Sequence, residues 1–278
     1  MNAPLSGMPH AEPFFFDAEP GTRFCLYHAP DPRVKPRGGI LYLHPFAGEM
    51  NKARRMASLQ ARAFASVGYA VLQVDLFGCG DSCGDFGAAR WPIWRADLDV
   101  AFHWLRKRAD GPMYLWGLRL GALMALDFAC STPVDGILLW QPFVRGRTCI
   151  NQFLRARLAS ELLLDGVPVN TTALRDDLYG HGAIEIGGYE LSAELARAID
   201  TRDAGAMSPQ TPLVEWFATG MPDDSASAAM AARMDRRWPS TEVRFHHIAG
   251  PPFWATRAIV DSPALLDATT RFSARERI

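Results

Sequence analysis

Residues 115–126 read LWGLRLGALMAL, an apolar strand that meets an apolar helix across a turn framed by Gly117 and Gly121, with Arg119 at its centre. A guanidinium stays protonated and offers donors without a usable lone pair, so Arg119 cannot act as a nucleophile. What it can do is hold an anion. The amide of Leu120 at the start of the following helix adds a second donor to such a site. The competing reading pairs Arg119 internally with Glu49 or Asp223 as a structural ion pair, because partly buried arginines in folded proteins are usually already paired.

Other reactive side chains fall near the predicted C-terminal edges of strands, where α/β proteins place their chemistry: His44, Asp75, Cys79 and Ser82. Each also has a plain structural use. Ser82 and Asp81 suit a turn, Asp75 suits hydrogen bonding at a strand end, and His44 can orient the loop that follows it. Glu49 and Asn51 are candidates for a pocket rim or for capping the next helix. Cys79 and Cys83 lack a second pair, so no metal site is expected.

These groups must be positioned by the elements around them. Pro13 to Phe16 and Arg23 to Tyr27 flank a Glu-Pro-Gly turn and read as an antiparallel hairpin. Continuous apolar strands are predicted at Ile40–His44, within YAVLQVDLFG, at Met113–Trp116, Val134–Trp140, and within TPLVEWFATG and TEVRFHHIAG. Amphipathic helices are predicted between them over Lys52–Val67, Trp91–Arg108, Leu120–Ala129, Ala226–Arg237 and Pro263–Phe272. Apolar strands alternating with such helices imply a mainly parallel eight-stranded sheet covered on both faces. The rhythm breaks over 143–209, a stretch too long for a plain loop, with helical runs at Asn151–Leu164 and Ser192–Ile199. It is read as an inserted lid between the two parts of one core, 1–142 and 210–278.

The turn 117–121 has the frame of the nucleophile elbow of α/β-hydrolases without its serine. His44-Pro45-Phe46 resembles their oxyanion loop, which would bring the amide of Phe46 toward that of Leu120; Asp75 to Ser82 resembles their Gly-Asp-Ser turn. Gly220-Met221-Pro222-Asp223 resembles the acid-bearing loop, with Asp224 as a rival to Asp223. More narrowly, HPFAGEMNKARRM, VLQVDLFGCGDSCGDF and WGLRLGALMAL resemble the subgroup called exosortase A system-associated hydrolase 2. That resemblance implies a bacterial protein tied to exopolysaccharide production. The triad is incomplete: Arg119 stands at the nucleophile position, and Gly250-Pro251-Pro252-Phe253-Trp254 supplies no histidine after the last strand. His246 and His247 fall inside that strand, one on each face.

The expected function is therefore binding of an anionic or acyl-bearing small molecule in the old cleft, with Trp116, Phe46, Phe143 and Trp254 lining or supporting it. The alternative is a hydrolase or acyl transferase with a nonstandard arrangement. A third reading is a pathway protein that docks a partner through the lid surface. The 278 residues carry a net charge of -1, which gives no overall attraction to nucleic acid. No cofactor is implied. The oligomeric state is left open. Five cysteines and a start without a cationic, apolar leader suit a reducing cytoplasm, and no apolar run reaches membrane-spanning length.

Overall fold

The computed structural model describes residues 11–161, 170–220 and 225–272. Among them an antiparallel hairpin of β1 (Ala11–Asp17) and β2 (Thr22–His28) leads into the alternating units. These are β3 (Gly38–Leu43), α1 (Gly48–Ser66), β4 (Tyr69–Val74), α2 (Trp91–Arg106), β5 (Met113–Leu118), α3 (Leu120–Ala129) and β6 (Gly136–Trp140). After an insertion come β9 (Leu213–Gly220), α7 (Ser225–Arg237), β10 (Glu242–Ala249) and α8 (Pro263–Phe272). The sheet order is β1-β2-β4-β3-β5-β6-β9-β10. The pairings of β2 with β1 and β4 are antiparallel and the rest are parallel. This is an α/β-hydrolase fold with the eight strands expected.

Central strands β3, β5 and β6 are buried along nearly their whole length, as continuous apolar runs covered on both faces must be. One apolar core lies between the sheet and α2, α3 and the insertion, around Trp94, Leu98, Leu123 and Phe128. The second lies on the opposite face around Met56, Phe64, Trp116, Trp140 and Phe253. Trp116 belongs to that second core, with centroids 4.3 Å from Tyr42 and 4.8 Å from Trp140. No helix among the described residues is long and apolar enough to cross a membrane.

The insertion between β6 and β9 contains α4 (Gly146–Glu161), α5 (Thr171–His181), the hairpin β7 (Ala183–Ile186) and β8 (Tyr189–Ser192), and α6 (Ala193–Asp200). Sequence periodicity finds α4 and α6 but neither α5 nor the hairpin. Asn170 caps α5, its side-chain oxygen accepting from the Ala173 amide at 2.8 Å, and Gly182 ends the helix at φ 89°. Arg175 binds both Asn151 of α4 and Asp200 of α6, so the inserted helices are cross-braced by one guanidinium.

Candidate functional site

The two glycines of the turn are sterically obligatory. A Cβ on Gly121 would sit 2.2 Å from the Leu43 carbonyl oxygen, and one on Gly117 would sit 2.5 Å from the Ala122 backbone. Only with both absent can β5, β3 and the start of α3 approach closely enough to form the sharp turn. Arg119 at its apex has φ 59° and ψ -112°, a conformation costly for any residue with a side chain. Ala47 repeats that strain at φ 49° and ψ -130° before α1, and Gln141 at φ 41° follows β6. These are the non-glycine residues with positive φ among the described residues, and all three lie at the C-terminal ends of central strands. The fold thus keeps the backbone geometry of a nucleophile elbow.

The Arg119 side chain is 9% exposed. Its Nε and Nη2 both donate to Glu49 Oε1 at 3.3 Å, and Nη2 also donates to Gln152 Oε1 at 2.6 Å. The guanidinium lies over the face of Phe143, 3.9 Å from the ring centroid, with Trp254 at 5.3 Å. Glu49 comes from the first turn of α1, Gln152 from α4 of the insertion, and Trp254 from the loop after β10. With Phe143, which follows β6, four separate parts of the chain converge on the arginine. Gln152 had no signal in the sequence beyond its place in a predicted helix.

Beside this cluster opens a cavity of about 470 Å³. Phe46, Phe143, Phe153, Ile186, Tyr189 and Trp254 supply its apolar wall, and Glu49, Lys52, Cys149 and Gln152 its polar one. Arg119 itself is screened from it by Glu49 and Gln152. Burial pushes the Glu49 carboxyl up, against the opposing pull of Arg119 and Lys52. Burial also pushes the Cys149 thiol well up, which keeps it protonated and a poor nucleophile.

The remaining sequence candidates lie elsewhere and are tied into the framework. His44 Nδ1 meets the Pro45 carbonyl at 2.8 Å, and Nε2 faces the Leu76 amide at 3.4 Å. A carbonyl only accepts and an amide only donates, so the ring is neutral with its proton on Nδ1; burial lowers its pKa in the same direction. Asp75 Oδ2 accepts from Arg54 at 2.9 Å and from the Asp81 amide at 3.1 Å. Ser82 donates to the Asp75 carbonyl and accepts from the Phe24 amide at 2.9 Å, fastening the turn to β2. Cys79 is buried, with its thiol pKa pushed far up by desolvation. His44 and Asp75 border a separate cavity of about 170 Å³ that shares no lining residue with the larger one. His246 bonds to the buried Glu215 and stacks on Phe217 at 4.7 Å. Asp223 and Asp224, the acid-position candidates, lie outside the described residues.

Comparisons with known proteins place this geometry. Lysophosphatidylserine lipase ABHD12 of Xenopus tropicalis is 33% identical over 114 residues, 39% of this chain and 28% of that protein. The Mus musculus protein of that name is 34% identical over 117 residues, 39% of this chain and 27% of that protein. The chain thus matches less than a third of the length of these relatives. Among solved structures, Est1E from Butyrivibrio proteoclasticus with bound ferulic acid superposes with a TM-score of 0.66 at 17% identity, covering 94% of this chain and 98% of that one. Alpha/beta hydrolase domain-containing protein 10 from mouse gives 0.61 at 15% identity, covering 94% and 98%. These likenesses establish the fold. Residues 34–250 match the family described as serine aminopeptidase, S33, and with that span of the chain covered the protein belongs to this family of α/β-hydrolases.

Proposed function

We propose that this α/β-hydrolase-fold protein holds an acyl-bearing small molecule in the cavity beside Arg119 and has little ordinary esterase activity. The observation that carries the reading is the occupancy of the elbow. The strained turn that would present a nucleophile instead presents a guanidinium clamped to Glu49 and Gln152, while a cavity of about 470 Å³ persists next to it. That volume falls in the usual range for a small-molecule site, and its walls are mostly apolar with a few convergent polar groups. Segment 143–209, which supplies Phe143, Cys149, Gln152, Phe153, Ile186 and Tyr189 to the lining, acts as the lid. Trp254 stands against Arg119 from the loop where the resemblance to α/β-hydrolases expects the base.

An anionic ligand has a harder case in this geometry, because Glu49 already compensates part of the Arg119 charge. A nonstandard hydrolase or acyl transferase is the second reading. His44, Asp75, Cys79 and Ser82 are engaged away from the cavity, and the Cys149 thiol that does face it is held protonated. The motifs shared with the exosortase A-associated subgroup support a cytoplasmic role in exopolysaccharide production, with a protein of that pathway as a candidate partner.

The test is direct. Purified protein is incubated with a fluorophosphonate probe for activated serines and with short-chain and long-chain nitrophenyl esters, and binding of a fluorescent fatty-acyl probe is measured in parallel. The expected outcome is no covalent labelling, turnover near the buffer rate, and saturable acyl binding lost when Phe143 and Trp254 are both replaced by Ala. Robust turnover that survives Arg119→Ala but not Cys79→Ala or Ser82→Ala would establish the enzymatic reading instead.

A further inference from the structure

The cavity of about 170 Å³ lies between α1 and the face of β2, β4 and β3 that this helix covers. Phe24, Leu26 and Met50 form its apolar side, and Tyr42, Arg54, Ser58 and Asp75 bring polar groups to it. The Tyr42 hydroxyl, on a residue 4% exposed, makes no hydrogen bond among the described residues, yet water can reach it. Asp75 is used on one side alone. Its Oδ2 accepts from Arg54 Nη2 at 2.9 Å and from the Asp81 amide at 3.1 Å, while Oδ1 has no partner among the described residues and is open to water. Nε and Nη1 of Arg54 and the Ser58 hydroxyl are free in the same sense. Native structures seldom leave so many buried or half-buried polar atoms unmatched in one place unless something external completes them.

The turn after β4 is shaped around this ion pair. Gly80, at φ 55°, passes so close that a Cβ on it would sit 2.0 Å from Asp75 Oδ2 and 2.4 Å from Arg54 Nη2. Because Oδ2 and Nη2 are bonded to each other, the free Oδ1 and the free guanidinium N–H groups stand next to one another, an acceptor beside donors. Burial raises the Tyr42 pKa, which keeps its hydroxyl protonated and able to donate. The charges of Arg54 and Asp75 cancel, and His44 on the same wall is neutral. An adjoining cleft of about 890 Å³, which shares Phe24, Leu26, Met50 and Arg54 with the cavity, carries Asp81 and Asp85, and these oppose an anion. A cation offers the free Arg54 N–H groups no lone pair.

We propose that this cavity binds a small neutral polyol through two adjacent hydroxyls, one donating to Asp75 Oδ1 and the other accepting from Arg54, with Tyr42 bonded to either. Hydroxyls on neighbouring carbons supply a donor beside an acceptor, which neither an ether nor a carboxylate does. Space of this size takes a molecule of roughly six heavy atoms, that of a three-carbon polyol. Its C–H groups would lie against Phe24, Leu26 and Met50. The site shares no lining residue with the cavity beside Arg119, so it stands independently of the acyl-ligand reading.

Nuclear magnetic resonance of the full chain with isotope-labelled tyrosine rings tests the assignment, with glycerol, propane-1,3-diol and glycerate as probes. The Tyr42 signal, assigned by its loss in Tyr42→Phe, should shift saturably with glycerol at a Kd of about 1 mM. Propane-1,3-diol, which lacks adjacent hydroxyls, should bind about three- to tenfold more weakly, the usual scale for one hydrogen bond, and glycerate more weakly than glycerol. Tyr42→Phe removes no hydrogen bond from the fold, so its melting temperature without ligand should be unchanged while its affinity for glycerol, read by saturation transfer from the protein, falls by about three- to tenfold. Glycerol binding should persist when Phe143 and Trp254 are both replaced by Ala, which separates this site from the cavity beside Arg119. No saturable shift with glycerol would reduce the cavity to a water-filled gap in the packing and overturn the proposal. Equal affinity for the two diols, tightest binding by glycerate, or an affinity unchanged in Tyr42→Phe would overturn it as well.

Discussion

Two arginine–carboxylate pairs in this molecule have opposite surroundings. Arg23 of β2 and Asp97 of α2 meet at 2.8 Å with both side chains wholly buried. Asp97 Oδ2 accepts from the Phe77 amide, Arg23 donates to the Pro20 carbonyl at 2.7 Å, and Phe77 stacks under the guanidinium at 5.0 Å. No described cavity is lined by either residue. Arg119 and Glu49 meet at a looser 3.3 Å, on strained backbone, against an open cavity and with one carboxylate oxygen unused. The closed pair fastens the antiparallel hairpin to the parallel core. The open pair fastens the elbow to α1 and, through Gln152, to the insertion. Burial alone does not separate framework from function here, and neither does an unpartnered polar atom, since Arg23 Nη2 and Glu49 Oε2 both lack a hydrogen-bond partner among the described residues. The cavity beside the open pair does.

That contrast can be broken most forcefully at Asp97. Asp97→Ala leaves the Arg23 charge uncompensated in the core and the Phe77 amide without its acceptor, at a cost of about 3 to 5 kcal/mol. Urea unfolding should show this as a large fall in midpoint, and a loss below about 1 kcal/mol would mean that the pair is not the framework element described. A smaller effect is expected at the elbow. Arg119→Ala removes charge-assisted hydrogen bonds from a site that water can partly reach, costing about 1.5 to 3 kcal/mol. Thermal melting should keep a single cooperative transition, whereas a loss as large as that of Asp97→Ala would make the two pairs equivalent in kind.

The smallest effect is a difference in pH dependence between the protein and Glu49→Gln. The folded-state pKa of Glu49 is raised above its unfolded value near 4.5, so the folded state binds its proton more tightly. The stability from this group is present below the unfolded pKa and is lost as pH rises through the folded pKa. Unfolding free energies measured from pH 4 upward should decline more steeply for the unmutated protein than for Glu49→Gln, the shared contribution of other groups cancelling in the difference. Parallel profiles would mean that Arg119 compensates Glu49 completely, and that the open pair is electrically as closed as the buried one.

Much of the fold was legible because its signals are local. The apolar runs that became β3, β5 and β6 and the helical spacing of Trp94, Leu98, Ala101, Phe102 and Leu105 follow from chain geometry and burial. Gly117 and Gly121 marked the turn because a Cβ at either position collides with backbone whatever the rest of the protein does. The same locality explains the losses. The residues of α5 carry no clear apolar stripe, burying Leu174 and Leu178 alone, and β7–β8 is a hairpin of four-residue strands, too short for periodicity to register.

The sequence by itself thus determined the sheet, the helices that cover it, the glycine-framed elbow and the absence of a nucleophile at its apex, since each depends on residue type and short-range spacing. Tertiary structure alone decided what the arginine does. Its partners are Glu49, 70 positions earlier, and Gln152, 33 positions later, and its aromatic neighbours are Phe143 and Trp254. It also turned His44, Asp75, Cys79 and Ser82 into framework contacts outside the lining of the cavity beside Arg119, although their places at strand ends made them equal candidates. A charged side chain has many possible partners within reach of its own length, and only the packing of distant segments selects among them, because the cost of leaving a buried charge or donor unmatched is settled in three dimensions.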